Sequence, residues 1–121
     1  MPLVEIEIVR KQRESLSGNL ISALANELGE IFNSLAGTTW VKLYELPPSH
    51  YAENNVPQED VYPVFIKIIK SELPENIRLE QEVKQITIAV ANICDRPKEN
   101  VHIIYEPEGR RRVSFGGKIV T

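Results

Sequence analysis

Cysteine is nearly absent. Cys94 stands alone among 121 residues, so no disulfide can form within the chain, and a reducing compartment is expected. Histidine is almost as scarce: His50 and His102 are the only two, and no metal-ligand spacing surrounds either. No apolar run approaches the roughly 18 residues of a membrane-spanning helix, and no basic N-terminal stretch leads into a signal-like apolar core. A glycine-rich phosphate loop and a nucleophile elbow are both missing, and Gly109 with Gly116-Gly117 does not form a dinucleotide fingerprint. Positive charge is not in excess. A net charge of −3 and a sequence pI of about 5.4 argue against nucleic acid as the main partner. These absences point to a cytoplasmic protein that needs no cofactor or metal and has neither nucleic acid nor membrane as a partner.

What is present is ordinary in amount and ordered in pattern. Hydrophobic residues make up 42% and charged residues 26%, and the length suits one domain with its own core. The chain repeats itself. Val4-Glu5-Ile6-Glu7-Ile8-Val9 resembles Val64-Phe65-Ile66-Lys67-Ile68-Ile69 at an offset of 60, and Val41-Lys42-Leu43-Tyr44-Glu45 resembles His102-Ile103-Ile104-Tyr105-Glu106 at an offset of 61. A helical pattern lies between the strands of each half. In the first, Leu16, Leu20, Leu24, Leu28, Ile31 and Leu35 form the stripe, Ser15 or Ser17 is a candidate cap, and Gly37 a candidate C′ residue. In the second, Ile77, Val83, Ile86, Val90 and Ile93 mark the buried face, Pro74 suits the first turn, and Asp95-Arg96-Pro97 ends the helix.

Each half thus reads strand, helix, strand, with the first unit over residues 1–60 and the second over 61–121. A helical crossover makes the two strands of a unit parallel neighbours. The fold expected is α+β: a four-stranded mixed sheet with both helices on one face. The other face, drawing on Leu3, Val9, Phe65, Ile69 and the strands near Leu43 and Ile104, is expected to associate with other subunits. Residues 46–60 read as a long loop with turns and room for a short strand.

Pro2 follows Met1 directly and opens the first strand. Aminopeptidases generally remove an initiator methionine that precedes a small residue, and the mature chain would then begin with a free secondary amine. In an apolar pocket or near cations the charged form of such an amine is disfavoured. A base titrating near neutral pH is what enolisation needs. The plain alternative is a proline that tolerates a strand start. Pro63 holds nearly the same place in the second half, but its nitrogen is an amide, so one working site per chain is expected.

The Met1-Pro2 start, the tandem repeat and the tail Val113-Ser114-Phe115-Gly116-Gly117-Lys118 together resemble the tautomerase superfamily, over essentially the whole chain. That superfamily includes 4-oxalocrotonate tautomerase and macrophage migration inhibitory factor. The resemblance implies a homotrimer of fused β-α-β units in which Pro2 is the catalytic general base or acid and Phe115 an aromatic that lines the pocket. It also implies a carboxylate-binding role for Lys67 and Lys70, at the end of the third strand, where dehalogenase and decarboxylase members carry arginines. The arginine that simple tautomerases carry at the start of the second strand of a unit would fall near His102 or Trp40.

Other candidates come from the residues themselves. Arg110-Arg111-Arg112 is the densest positive run. If the strand alternates, Arg110 and Arg112 share a face, either to hold a substrate carboxylate or to form solvated or intersubunit ion pairs. Tyr105 is either a hydrogen-bond donor to substrate or, as a partner of Tyr44 in the repeat, structural. Cys94 is expected to be buried and inert. The expected activity is a cofactor-independent keto–enol tautomerisation of a small 2-oxo or 2-hydroxy acid. Two alternatives stand beside it. One is hydration, dehalogenation or decarboxylation with the same proline, water being positioned by Glu106, Glu108 or Asp60. The other is a non-catalytic trimeric binding or signalling protein.

Overall fold

The computed structural model describes residues 1–57 and 61–121. Strand β1 (Leu3–Val9) is followed by helix α1 (Leu20–Ile31) and β2 (Trp40–Leu46), then by β3 (Val64–Ile69), α2 (Asn76–Cys94) and β4 (Val101–Tyr105). A small hairpin, β5 (Ser114–Phe115) and β6 (Lys118–Ile119), ends the chain. The main sheet has the order β2-β1-β3-β4. β1 and β2 are parallel, as are β3 and β4, while β1 and β3 meet antiparallel at the centre. The α+β fold with a four-stranded mixed sheet is therefore as expected.

The core follows from two periodicities meeting. Alternate strand residues share one face of a sheet, whereas helix residues three and four apart share a stripe. Val4, Ile6 and Ile8 of β1 and Val64, Ile66 and Ile68 of β3 are fully buried beneath Leu20, Leu24 and Leu28 of α1 and Ile86, Val90, Ala91 and Cys94 of α2. Both helices lie on that face.

Several local expectations are corrected. α1 is shorter than its apolar stripe: the chain turns left-handed at Asn33 (φ 52°), four residues before Gly37. Leu35 therefore falls outside the helix and is 81% exposed. Neither serine caps the helix; Asn19 holds the N-cap position without a side-chain bond. In α2, Ile77, in the first turn of the helix, is exposed rather than buried. The helix does end at Asp95, whose left-handed φ of 55° stops it. Between β2 and β3 the described residues form a 3-10 turn at Pro48–His50 and no strand.

The repeat has one offset, not two. Val4 pairs with Val41 and Val64 with Val101, so the second strands also correspond at 60. A one-residue slip reverses every side chain. Tyr44 accordingly lies on the open face, and Tyr105 lies on the helix side against the core. Leu43 likewise packs against the core, and Val9 is fully buried although it alternates with Leu3, Glu5 and Glu7.

At the C-terminal end of β1 sits a buried arginine. Arg96, 5% exposed, donates to the carbonyls of Val9 (3.0 Å), Tyr62 (2.9 Å) and Cys94 (2.9 Å). It also grips both carboxylate oxygens of Glu14, at 2.8 and 3.1 Å. One guanidinium thus ties the end of β1, the lead-in to β3 and the end of α2 together. A planar fork suits this task and a lysine would not.

Removing one partner of a buried pair leaves the other desolvated and alone, at a cost of about 3–5 kcal/mol. Arg96→Met should lose stability of that order in urea unfolding at pH 7. The Arg96 hydrogen bond holds the Glu14 carboxyl below its ordinary value of 4.5. Its contribution is complete above that value and fades as pH falls through the lowered one. The gap between wild type and Arg96→Met should therefore narrow in unfolding curves repeated near pH 3; a gap independent of pH would show that Glu14 is not the partner that matters.

Candidate active site

The opposite end of the sheet is where Pro2 lies. Pro2 is buried, and its carbonyl accepts from Trp40 N at 3.1 Å, which fixes the start of β1 against the start of β2. The antiparallel register puts Leu3 opposite Ile69, so the beginning of the chain meets the end of β3. The segment after β4 then crosses this end. Glu106 N bonds the Ile68 carbonyl (2.9 Å) and Gly109 N bonds the Lys70 carbonyl (2.7 Å). The Gly109 carbonyl accepts from Arg112 N and Val113 N, at 2.9 and 3.0 Å, closing a tight loop.

The terminal hairpin lies beside this end of the sheet, but none of its residues, Phe115 included, lines the cavity there. Phe115 pairs with Lys118 across Gly116 and Gly117, whose φ angles of 58° and 88° are those of a two-residue turn that side chains strain. The hairpin lays Phe115 edge-on against Trp40, ring centres 4.3 Å apart. Phe115 thus covers the β2 side of the sheet end that holds Pro2.

Between these segments lies a cavity of about 330 Å³, lined by Leu3, Glu5, Lys67, Ile69, Glu106, Pro107, Gly109, Arg112 and Val113. Its lining mixes the apolar Leu3, Ile69, Pro107 and Val113 with two cations and two carboxylates. Glu5 is already paired with Lys42 at 3.2 Å, which leaves Lys67 and Arg112 as the groups best able to meet an anion. A second hollow of about 240 Å³ adjoins on the open sheet face, sharing Glu5 and Lys67 and bounded by Glu7, Tyr44 and Phe65.

The structure separates the expected cations. Lys67 and Arg112 reach the cavity. Lys70 does not line it: its ammonium bonds Glu82 at 2.7 Å, under the Phe32 ring at 5.0 Å. The other Glu82 oxygen accepts from the Tyr105 hydroxyl at 2.6 Å. Burial, and then the Glu82 bond, push the Tyr105 phenol well above its usual range, so it stays protonated and committed to Glu82. Arg110 points to Glu72 at 3.2 Å and is half exposed. His102 stacks near Phe65 at the start of β4, the end of the sheet away from Pro2; Trp40 is at the Pro2 end.

Among the candidate acids, Glu106 lines the cavity and Glu108 accepts from Leu73 N at 2.8 Å; Asp60 lies outside the described residues. Cys94 is buried, and burial pushes its thiol up to about 11, which keeps it un-ionised at neutral pH. Among the described residues no group of His, Cys, Asp and Glu gathers that could hold a metal ion, and no helix is long and apolar enough to cross a membrane.

Sequence reasoning passed over Glu5, Ile69 and Gly109 as site residues. For Glu5 a signal existed, since it alternates with buried residues on β1 and so shares the face of Leu3. For Gly109 none did, because its position depends on the path of a loop. Glu82 also went unseen; a glutamate within a helix ordinarily faces solvent.

No family model matches the sequence, and no curated protein matches it. Solved structures do match. A protein inactivated by 2-oxo-3-pentynoate aligns with a TM-score of 0.76 at 15% identity, over 98% of this chain and 94% of that one. A fused 4-OT solved as an asymmetric trimer aligns with a TM-score of 0.75 at 18% identity, over 95% of this chain and 94% of that one. A macrophage migration inhibitory factor homologue from Prochlorococcus marinus gives 0.75 at 13% identity, over 98% and 99%. At such identities the likeness is one of architecture: the chain has the fold seen in the fused 4-OT and macrophage migration inhibitory factor structures.

Proposed function

We propose that the chain, once Met1 is removed, is a cofactor-independent tautomerase acting on a small 2-oxo or 2-hydroxy acid. The observation that carries this is the burial of Pro2 at the start of β1, beside Leu3, which lines a cavity of mixed apolar and charged residues that includes the cations Lys67 and Arg112. With Met1 attached, the Pro2 nitrogen is an amide and cannot accept a proton. Once released, it is a secondary amine at a buried position, where the charged form is disfavoured and proton exchange near neutral pH is favoured.

In this reading the amine takes a proton from the enol oxygen or from carbon and returns it elsewhere on the conjugated system. Arg112 and Lys67 hold the carboxylate and stabilise the negative charge that develops on the substrate. Arg112, whose guanidinium can bind two carboxylate oxygens at once, sets the orientation. Phe115 on Trp40 limits water at this end of the sheet, which strengthens the ionic contacts. Lys70, Arg110 and His102, which do not line the cavity, take no direct part. The inactivation of one similar protein by a 2-oxo acid agrees with this substrate class.

A homotrimer is part of the proposal. The sheet face away from the helices is uncovered and carries Tyr44, Phe65, Ile69 and Ile104 beside Glu5, Glu7 and Lys67, and the fused 4-OT neighbours are trimers. Charges on that face would need partners of opposite sign across the interface.

A second reading rests on Glu106. A carboxylate in the cavity beside a protonated proline and two cations can position water for hydration or dehalogenation.

Intact-mass measurement should show Met1 absent. On the processed protein, Pro2→Ala should lower turnover of phenylenolpyruvate or 2-hydroxymuconate by about 10²–10⁴-fold, the range of general acid–base catalysis; undiminished turnover removes the proline from the mechanism. Loss of a charged hydrogen-bond donor is worth about 1.5–3 kcal/mol, so Arg112→Gln should raise KM by roughly 10- to 100-fold. If a 3-halogenated acrylate is the better substrate and Glu106→Gln abolishes its turnover, the second reading replaces the first. Sedimentation should give three chains for the wild type and a smaller species for Ile104→Lys.

A further inference from the structure

Gly109 is a glycine without a backbone reason. Its φ is not among the positive values, so an ordinary residue could adopt the same conformation. What lies beside it is the flexible tip of the Met1 side chain, which can swing aside, and Ile69, which stays. A Cβ built there collides with the terminal methyl of Met1 and lies 3.2 Å from the Met1 sulfur and 3.1 Å from Ile69 Cγ2. The Met1 side chain therefore runs from the Pro2 nitrogen to a hollow between Gly109 and Ile69, both of which line the 330 Å³ cavity.

The path of that side chain carries information about the site. The Met1 carbonyl carbon is bonded to the Pro2 nitrogen at about 1.33 Å, so the atoms of Met1 trace a route outward from the proposed proton-transfer atom. When Met1 leaves, its route becomes empty apolar space that starts at the base and ends on Gly109 and Ile69. The Gly109 wall is held in place by the bond from its N–H to the Lys70 carbonyl, and Lys70 is anchored in turn by Glu82. Arg112 and Lys67 line the 330 Å³ cavity, which shares Gly109 and Ile69 with this hollow, and supply the polar pole.

We propose that this hollow receives an unbranched apolar substituent of the 2-oxo acid, about as long as a methionine side chain, and that Gly109 sets the length limit. This rests on the Pro2 reading and adds to it the substrate class: a straight-chain 2-oxo acid whose carboxylate meets Arg112 and Lys67 and whose alkyl tail ends on Gly109 and Ile69. Small apolar acids without a tail leave the hollow to water, and branched or bulky tails collide with its wall.

The test uses the processed protein, its mass verified, with a homologous series from pyruvate through 2-oxohexanoate to 2-oxodecanoate. Calorimetric binding and enolisation rate are measured in parallel. Each methylene that enters the hollow should tighten binding roughly fourfold, until the tail reaches the wall and the gain stops. Gly109→Ala should move that stopping point to a shorter acid and weaken the longest well-bound ligand about tenfold; Ile69→Ala should move it to a longer one. Thermal melting establishes that each variant is folded, and should Gly109→Ala not fold, Ile69→Ala decides alone. Binding that does not depend on tail length, or a stopping point unmoved in the folded variants, overturns the inference while Pro2-dependent turnover leaves the tautomerase reading standing. A length limit that moves as expected, with no enolisation of any member, supports the hollow and overturns the proton-transfer reading.

Discussion

The antiparallel seam between β1 and β3 governs the rest of the molecule. Each β-α-β unit alone makes a parallel pair with one helix on it, and two such units could be joined in either sense. Here Leu3 faces Ile69 and Ile8 faces Val64 across the seam. The two units therefore run in opposite directions, and residues equivalent in the repeat lie at opposite ends of the sheet. Pro2 and Pro63 show the consequence. Both are buried at the start of a strand, yet Pro2 meets the end of β3 and the C-terminal loop, whereas the Pro63 carbonyl accepts from Val9 N at the far end, 2.9 Å away. A duplicated sequence thereby yields two different ends.

Those ends use charge differently. At the far end, Arg96 is saturated: its donors go to four carbonyls, those of Val9, Tyr62, Cys94 and Asp95, and to both oxygens of Glu14, so its contribution is to hold elements together. At the Pro2 end, Lys70 and Glu82 form a similar anchor with Tyr105, behind the wall on which Gly109 rests. In front of that wall, Lys67 and Arg112 border open volume. Charge that is spent on structure and charge that faces a cavity are separated by a single backbone layer.

The open sheet face has a mixed character that follows from the same register. Rows run across it: Tyr44, Glu7, Phe65 and His102 in one, Lys42, Glu5, Lys67 and Ile104 in the next. Opposite charges stand side by side within the second row, and Glu5 closes on Lys42. The face is therefore less apolar than the fully buried one, whose six central residues on β1 and β3 are all aliphatic.

Much of this was legible in the sequence, and the reason is periodicity. Alternation fixed β1 and β3, the three-and-four spacing fixed the central part of each helix's buried stripe, and a strand-helix-strand pattern stated twice fixed the two parallel pairs, because each of these is a local consequence of backbone geometry. Pro2 was legible because its chemistry depends on its place in the chain. Element ends were not: Asn33 rather than Gly37 turns the chain out of α1, since asparagine also tolerates the left-handed region. Tertiary structure decided which cations border a cavity. Lys67 and Lys70 lie three apart, so alternation sends them to opposite faces, but only the fold shows that Lys70 ends on Glu82 of α2 while Lys67 meets open volume beside Arg112. Gly109 likewise acquires its meaning only when a loop some hundred residues away in sequence comes to rest against Met1, a contact no local pattern encodes.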